Sequence, residues 1–335
     1  MDPFGLVGKV IGGKYRVQAL VEETALSVVY RAVHRVWQRP VAIKAFKSRL
    51  LDVEDRARLL ESFIREGRLL MELSERCAAI VQARDVASLT TARGEWVPYM
   101  VLEWLEGESL EAMVTRERAN GARLRVVAEA MRLLDPVARA LTLAHERGIT
   151  HRDVKPANVF VLAGGCKLLD FGVAAVAHEV VREGECRSFT PAYGAPEQYS
   201  PDIGATGPWT DVFALGLVLV ELVTGRDALG SGTIAGMMRR SCDPDVRPTP
   251  RALGASVHDD VERVMARALA VQPEHRYANA GELWSALRTA TPSPWVDLSG
   301  TIPIPLVRRR QWRLPWQRGP QAGGSKSQAV LASEA

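Results

Sequence analysis

The chain has 335 residues, 47% of them hydrophobic and 24% charged, which fits an ordinary soluble globular protein. That length suits a two-lobed domain of about 280 residues followed by a tail. The net charge of +4 lies in the tail, where positions 297–335 hold six basic and two acidic residues and leave 37 of each sign before them, so the globular part gives no reason to expect nucleic-acid binding.

The opening Met-Asp-Pro-Phe-Gly has no basic stretch leading into an apolar one, so secretion is not expected. Short β-rich runs follow at Tyr15–Val21, Val28–His34 and Pro40–Phe46. Next comes a helical pattern, with Asp52 as N-cap and Leu60, Phe63, Leu70 and Leu73 at helical spacing. Two more strands are expected at Ala83–Leu89 and Trp96–Trp104, around the turn Ala92-Arg93-Gly94.

Beyond Gly107 the pattern turns helical. Leu124–Arg147 is amphipathic, and Pro136 inside it should kink or split the helix. Val159–Leu162 and Cys166–Leu169 flank Gly164-Gly165 as a hairpin. Helices dominate from Thr210 to Ala290. The nine uncharged residues Val212–Val220 are too few to cross a bilayer, which needs about 20, and read as a buried core helix.

Cys77, Cys166, Cys186 and Cys242 are widely spaced and form no C-x-x-C pair. They read as reduced thiols in a cytoplasmic protein, with neither disulfide frame nor zinc site. After Thr291 the composition shifts to Pro, Gly, Ser, Arg and Trp without periodicity, the pattern of a mostly disordered tail. Its Arg308-to-Trp316 stretch reads first as a solvated basic linker. Membrane contact through Trp312 and Trp316 on anionic lipid is the less favoured alternative.

The most informative stretch is His151-Arg152-Asp153-Val154-Lys155-Pro156-Ala157-Asn158, set between a helix and a hairpin. Phosphoryl transfer asks for a carboxylate to orient the attacking hydroxyl, cations for phosphate charge, and oxygen ligands for a metal. Asp153 supplies the first, Lys155 the second and Asn158 the third. Twelve residues on, Asp170-Phe171-Gly172 follows a strand, and Asp170 would be the second metal ligand.

Together these two motifs resemble the catalytic loop and D-F-G of the protein-kinase family, in its bacterial Ser/Thr (Hanks-type) form. The resemblance covers roughly residues 14–288 and implies an α+β, two-lobed fold. Residues 14–104 would form a small lobe with a five-stranded sheet and one main helix, and residues 108–290 a larger, mostly helical lobe, followed by the tail 291–335.

By that resemblance Lys44, in Val41-Ala42-Ile43-Lys44, holds the α- and β-phosphates, with Glu66 as its partner and Glu61 as the competitor for that place. Val29 and Ala42 would roof the adenine and Phe160 would floor it, with Val21 also among the ATP-binding residues. Leu102 stands at the gatekeeper position, and Glu103 to Leu105 form the hinge whose backbone reads the base. Glu197, in Ala195-Pro196-Glu197, would pair with Arg276, and Asp211 would brace the catalytic loop.

Lys155 and the Thr190-Pro191-Ala192-Tyr193 segment resemble the Ser/Thr pattern, with Phe189 where the family has glycine. Arg152 marks kinases switched by phosphorylation of the activation segment, for which Ser188 and Thr190 are the hydroxyl candidates. Thr190 is rather expected at the acceptor site, on Asp153 and Lys155. The implied cofactors are ATP and Mg²⁺, with Mn²⁺ as a substitute. The implied partners are proteins with Ser/Thr acceptors, this chain itself included.

One departure stands out. The nucleotide lid should read G-x-G-x-x-G, but Glu22-Glu23-Thr24-Ala25-Leu26-Ser27 has no glycine. Glycine lets backbone amides approach phosphate oxygens. Here two carboxylates are added, each costing about 1 kcal/mol against a triphosphate when exposed. The hydroxyls of Thr24 and Ser27 would offset part of this by donating to phosphates. Two functions are therefore consistent with the sequence: an active kinase, or a pseudokinase scaffold that keeps the fold without turnover.

Overall fold

The computed structural model describes residues 2–24, 27–47, 53–171 and 189–291, with some side chains of the first helix left out, Glu66 among them. The expected Asp52 cap, Cys186, Ser188 and the tail lie outside the described residues.

The first lobe is an antiparallel sheet with strand order β1-β2-β3-β4-β6-β5. Its strands are β1 (Val10–Ile11), β2 (Tyr15–Glu23), β3 (Ser27–His34), β4 (Arg39–Phe46), β5 (Ala83–Thr90) and β6 (Trp96–Glu103). The five expected strands are all present, and the two-residue β1 adds a sixth at the edge. Helix α1 (Val53–Arg76) crosses between β4 and β5.

Alternation along the strands gives the sheet two different faces. Val28, Tyr30, Ala32, Val41, Ile43 and Ala45 are buried on the outer face. Over them lie Phe4 and Leu6 from the chain's first residues, which join the same apolar cluster. The Asp2 carboxylate holds that segment down, accepting from Tyr30 Oη (2.6 Å) and from the Gly5 and Val7 amides (3.0 and 2.7 Å). The opposite face carries Val29, Ala42 and Lys44 and looks towards the second lobe.

The second lobe begins with a small sheet of β7 (Glu108–Ser109), β8 (Val159–Leu162) and β9 (Gly165–Leu168). Gly107 enters it under tight constraint, since a Cβ there would collide with the Val161 carbonyl. The helices are α2 (Leu110–Ala119), α3 (Val127–His145), α4 (Pro196–Tyr199), α5 (Pro208–Thr224), α6 (Ile234–Cys242), α7 (Asp259–Ala268) and α8 (Ala280–Ala290).

Of the kink or split expected at Pro136, the split does not occur, and α3 runs through the proline as one element. A proline inside a helix costs about 3 kcal/mol. Each fully buried aliphatic side chain returns about 1.5–3 kcal/mol, and Met131, Leu134, Val137 and Leu141 are all fully buried around it. Packing outweighs the local penalty. Helix α5 is buried along nearly its whole length, as its apolar run requires. Among the described residues, no helix is long and apolar enough to cross a membrane.

Candidate active site

The catalytic loop is built around Asp211 in the first turn of α5, whose carboxylate is fully buried. Its Oδ1 accepts from the Arg152 amide (2.7 Å), and its Oδ2 accepts from the His151 amide (2.7 Å) and His145 Nε2 (2.8 Å). A buried charge is tolerable only when its lone pairs are filled this way. The brace inferred from the sequence is therefore in place. His145 also accepts from the Ala280 amide through Nδ1 (3.2 Å), which makes Nε2 the protonated nitrogen.

This brace holds an unfavourable backbone. Arg152 lies at φ +67° and Asp170 at φ +60°, in the left-handed region that non-glycine residues rarely adopt. Gln198 of α4 supports Arg152 from the other side, its amide nitrogen donating to the Arg152 carbonyl at 2.8 Å. His151 links the two motifs, since its Nε2 donates to the Leu169 carbonyl (2.7 Å) and its ring packs edge-on against Phe171.

Asp153, Lys155, Asn158 and Thr190 converge. Lys155 Nζ lies 2.7 Å from Asp153 Oδ2 and donates to Thr190 Oγ1 at 2.6 Å. The Thr190 amide donates to Asp153 Oδ1 at 2.9 Å. Asn158 turns its amide nitrogen to the Asp153 carbonyl (2.8 Å) and Oδ2 (3.2 Å), which leaves Oδ1 facing away as an oxygen donor. The Leu169 amide donates to the Asn158 carbonyl (2.8 Å), tying the loop to the segment that carries Asp170. That backbone bond holds the two motifs side by side.

Lys44 Nζ meets Asp170 Oδ1 at 2.6 Å across the two lobes. Burial alone would push the Asp170 carboxyl up, but the Lys44 ammonium, with His151 and Lys155 behind it, holds it below the ordinary carboxylate value. Asp170 therefore stays ionised at neutral pH. The Glu66 side chain lies outside the described residues, and its competitor Glu61 is exposed on α1. Hard oxygen donors from one carboxylate and one amide suit Mg²⁺, which usually keeps several waters and takes few protein ligands.

Val21, Val29, Ala42 and Phe160 are each partly exposed, while their strand neighbours Val28, Val41 and Val159 are buried. The Glu103 side chain is engaged elsewhere, accepting from the Gln82 amide (2.9 Å) and pairing with Lys167 (2.5 Å). What the hinge from Glu103 to Leu105 can offer a base is therefore backbone.

The segment from Thr190 to Tyr193 is anchored by contacts that the sequence did not signal. Tyr193 Oη donates to Glu221 Oε2 (2.5 Å), and Arg118 donates to Glu221 Oε1 (2.8 Å). Phe189 packs edge-on against Tyr199 and closes over Gly194, where a Cβ would clash with its ring. Glu197 and Arg276 form the expected pair through two bonds of 2.9 and 2.8 Å, with both side chains fully buried.

The protein kinase domain family matches residues 15–290, and the chain belongs to that family. It is 28% identical over 287 residues to the serine/threonine-protein kinase PrkC of Bacillus subtilis, a match covering 85% of this chain and 42% of that one. With the serine/threonine-protein kinase PknL of Mycobacterium tuberculosis it shares 32% identity over 283 residues, 83% of this chain and 65% of that one. The chain thus spans less than two thirds of the length of these relatives. The crystal structure of the Mycobacterium tuberculosis PknI kinase domain has the same fold, with a TM-score of 0.56 at 22% identity over 86% of this chain and all of that one.

Proposed function

We propose that this chain transfers the γ-phosphoryl group of ATP to Ser and Thr hydroxyls of proteins, itself among them, in the cytoplasm. The observation that carries the reading is the Asp153–Lys155–Thr190 arrangement, with a carboxylate and an ammonium 2.7 Å apart beside the segment that would receive the acceptor. Asp153 orients the hydroxyl and takes its proton, while Lys155 offsets charge on the phosphoryl group in transfer. Lys44 would hold the α- and β-phosphates. Asn158 Oδ1 and the Asp170 carboxylate would hold Mg²⁺, or Mn²⁺ in its place, which supplies charge neutralisation at the phosphates when bound.

The names of the bacterial relatives support Ser/Thr as the acceptor class, and the Lys155–Thr190 contact agrees with it. The scaffold reading is weaker, because Lys44, Asp153, Asn158 and Asp170 are all present and mutually oriented. Arg152 has no side-chain partner among the described residues, which leaves its guanidinium for a phosphate on the activation segment, with Ser188 as the candidate acceptor.

Purified protein given Mg²⁺ and γ-labelled ATP is expected to acquire label recoverable as phosphoserine or phosphothreonine, on itself or on an added protein substrate. Label no greater than that of an Asp153→Asn control would leave the scaffold reading standing.

A further inference from the structure

The glycine-free lid is not uniformly acidic towards the cleft. Strand β2 slips out of phase at Val21. Leu20 pairs with Tyr30 and Glu22 pairs with Val29, so Val21 is an extra residue between them. Strict alternation would set Glu22 on the same outer face as Leu20, and the bulge moves it to the other. Glu22 then stands in one cross-strand row with Val29 and Lys44, which are themselves paired. Because Lys44 reaches Asp170 across the lobes, this row belongs to the cleft face.

Glu23 has the opposite fate. It pairs with Val28 on the outer face, where Lys47 Nζ meets its carboxylate at 2.7 Å. The lid hydroxyls, expected to donate to phosphates, are instead engaged with each other. Thr24 Oγ1 accepts from the Ser27 amide (3.0 Å) and lies 3.2 Å from Ser27 Oγ. Glu22 is exposed and has no ion pair among the described residues.

The geometry points to Glu22 as a specificity-determining residue that makes nucleotide capture depend on free divalent cation. The inference rests on the kinase reading, in which the phosphates lie between Lys44 and the lid. A carboxylate in that row opposes a polyphosphate, and the Lys44 ammonium of the same row is already paired with Asp170. A hard divalent cation bridges carboxylate and phosphate oxygens and reverses the sign of the interaction. Nucleotide affinity therefore rises with free Mg²⁺ even after all ATP is present as its Mg²⁺ complex. An exposed glutamate with no such function would leave that dependence unmoved.

The test is equilibrium binding of a fluorescent, non-hydrolysable ATP analogue to the full chain across a series of free Mg²⁺ concentrations. Wild type is expected to tighten about tenfold from the low to the high end of the series. Glu22→Gln should bind about five- to tenfold more tightly at the low end and respond little to added Mg²⁺. Glu23→Gln should follow wild type. Glu22→Gln tracking wild type, or Glu23→Gln flattening the response equally, would overturn the inference. Absence of binding by wild type at every Mg²⁺ concentration would instead remove the kinase reading, and this inference with it.

Discussion

Asparagine in place of Asp153 is expected to lower the phosphoryl-transfer rate by about 10²–10⁴-fold, the usual share of a positioned general base. The substitution keeps the size of the side chain and one acceptor oxygen, so the Thr190 amide retains a partner. It removes the charge that faces Lys155 at 2.7 Å and the basicity needed to take a proton. The Asp153 and Lys155 side chains are each 22% exposed, so losing the pair costs less stability than losing a fully buried one. The loss should therefore fall on kcat. Nucleotide affinity should hold, because Lys44 and Asp170 lie in a separate contact. A kcat within threefold of wild type would remove Asp153 from the chemistry.

The second large effect is on stability. Arg276→Leu is expected to destabilise the fold by about 3–5 kcal/mol, read as a lower midpoint in urea unfolding. Both partners of the Arg276–Glu197 pair are fully buried, so the variant strands a carboxylate without water or counter-charge. Thr210 Oγ1 still donates to it at 2.7 Å, but one neutral hydroxyl cannot replace a bidentate guanidinium. Arg276 also donates to the carbonyls of Ala270 and Val271, both at 2.7 Å, and stacks on Phe213, so its loss loosens three segments at once.

The double variant Arg276→Leu, Glu197→Leu should cost less than the two single effects summed, because no charge is then left unpaired. Strict additivity would show that the pair itself contributes little beyond the surrounding contacts. Arg276→Lys should still be destabilising, since a single ammonium cannot span both carboxylate oxygens and the carbonyls behind them.

Much of the site was legible in the sequence because its chemistry is local. His151 to Asn158 and Asp170 to Gly172 are short runs whose spacing is set by one hairpin, and β8 and β9 form that hairpin. The strands were legible too, since period-2 alternation directly reports which face is buried. What escaped depends on contacts between residues far apart in the chain. His145 gave no signal within α3, and its value comes from Asp211 and Ala280, 66 and 135 residues away. Glu221 looked like the end of an apolar run until Tyr193 and Arg118 met it.

Phase was the other blind spot. Glu22 and Glu23 read as equivalent charges; alternation sends such neighbours to opposite faces, and the register shift at Val21 decides that Glu22 is the one on the cleft side. Nor could the packing of Phe4 and Leu6 over the sheet be read from composition, because two apolar residues carry no period. The unsplit α3 shows the same limit, with distant burial overriding a strong local penalty at Pro136.

The double duty of His145 has a consequence for amide hydrogen exchange. The amides of His151 and Arg152 end on Asp211, Asp211 is held by His145, and His145 accepts the Ala280 amide at the start of α8. Residues far apart in sequence are thereby joined into a single opening unit. Deuterium should enter the amides of His151, Arg152 and Ala280 at a common rate, and His145→Ala should speed all three together. The turn that positions the catalytic carboxylate would then be as persistent as the last helix of its lobe, and would loosen whenever that helix does.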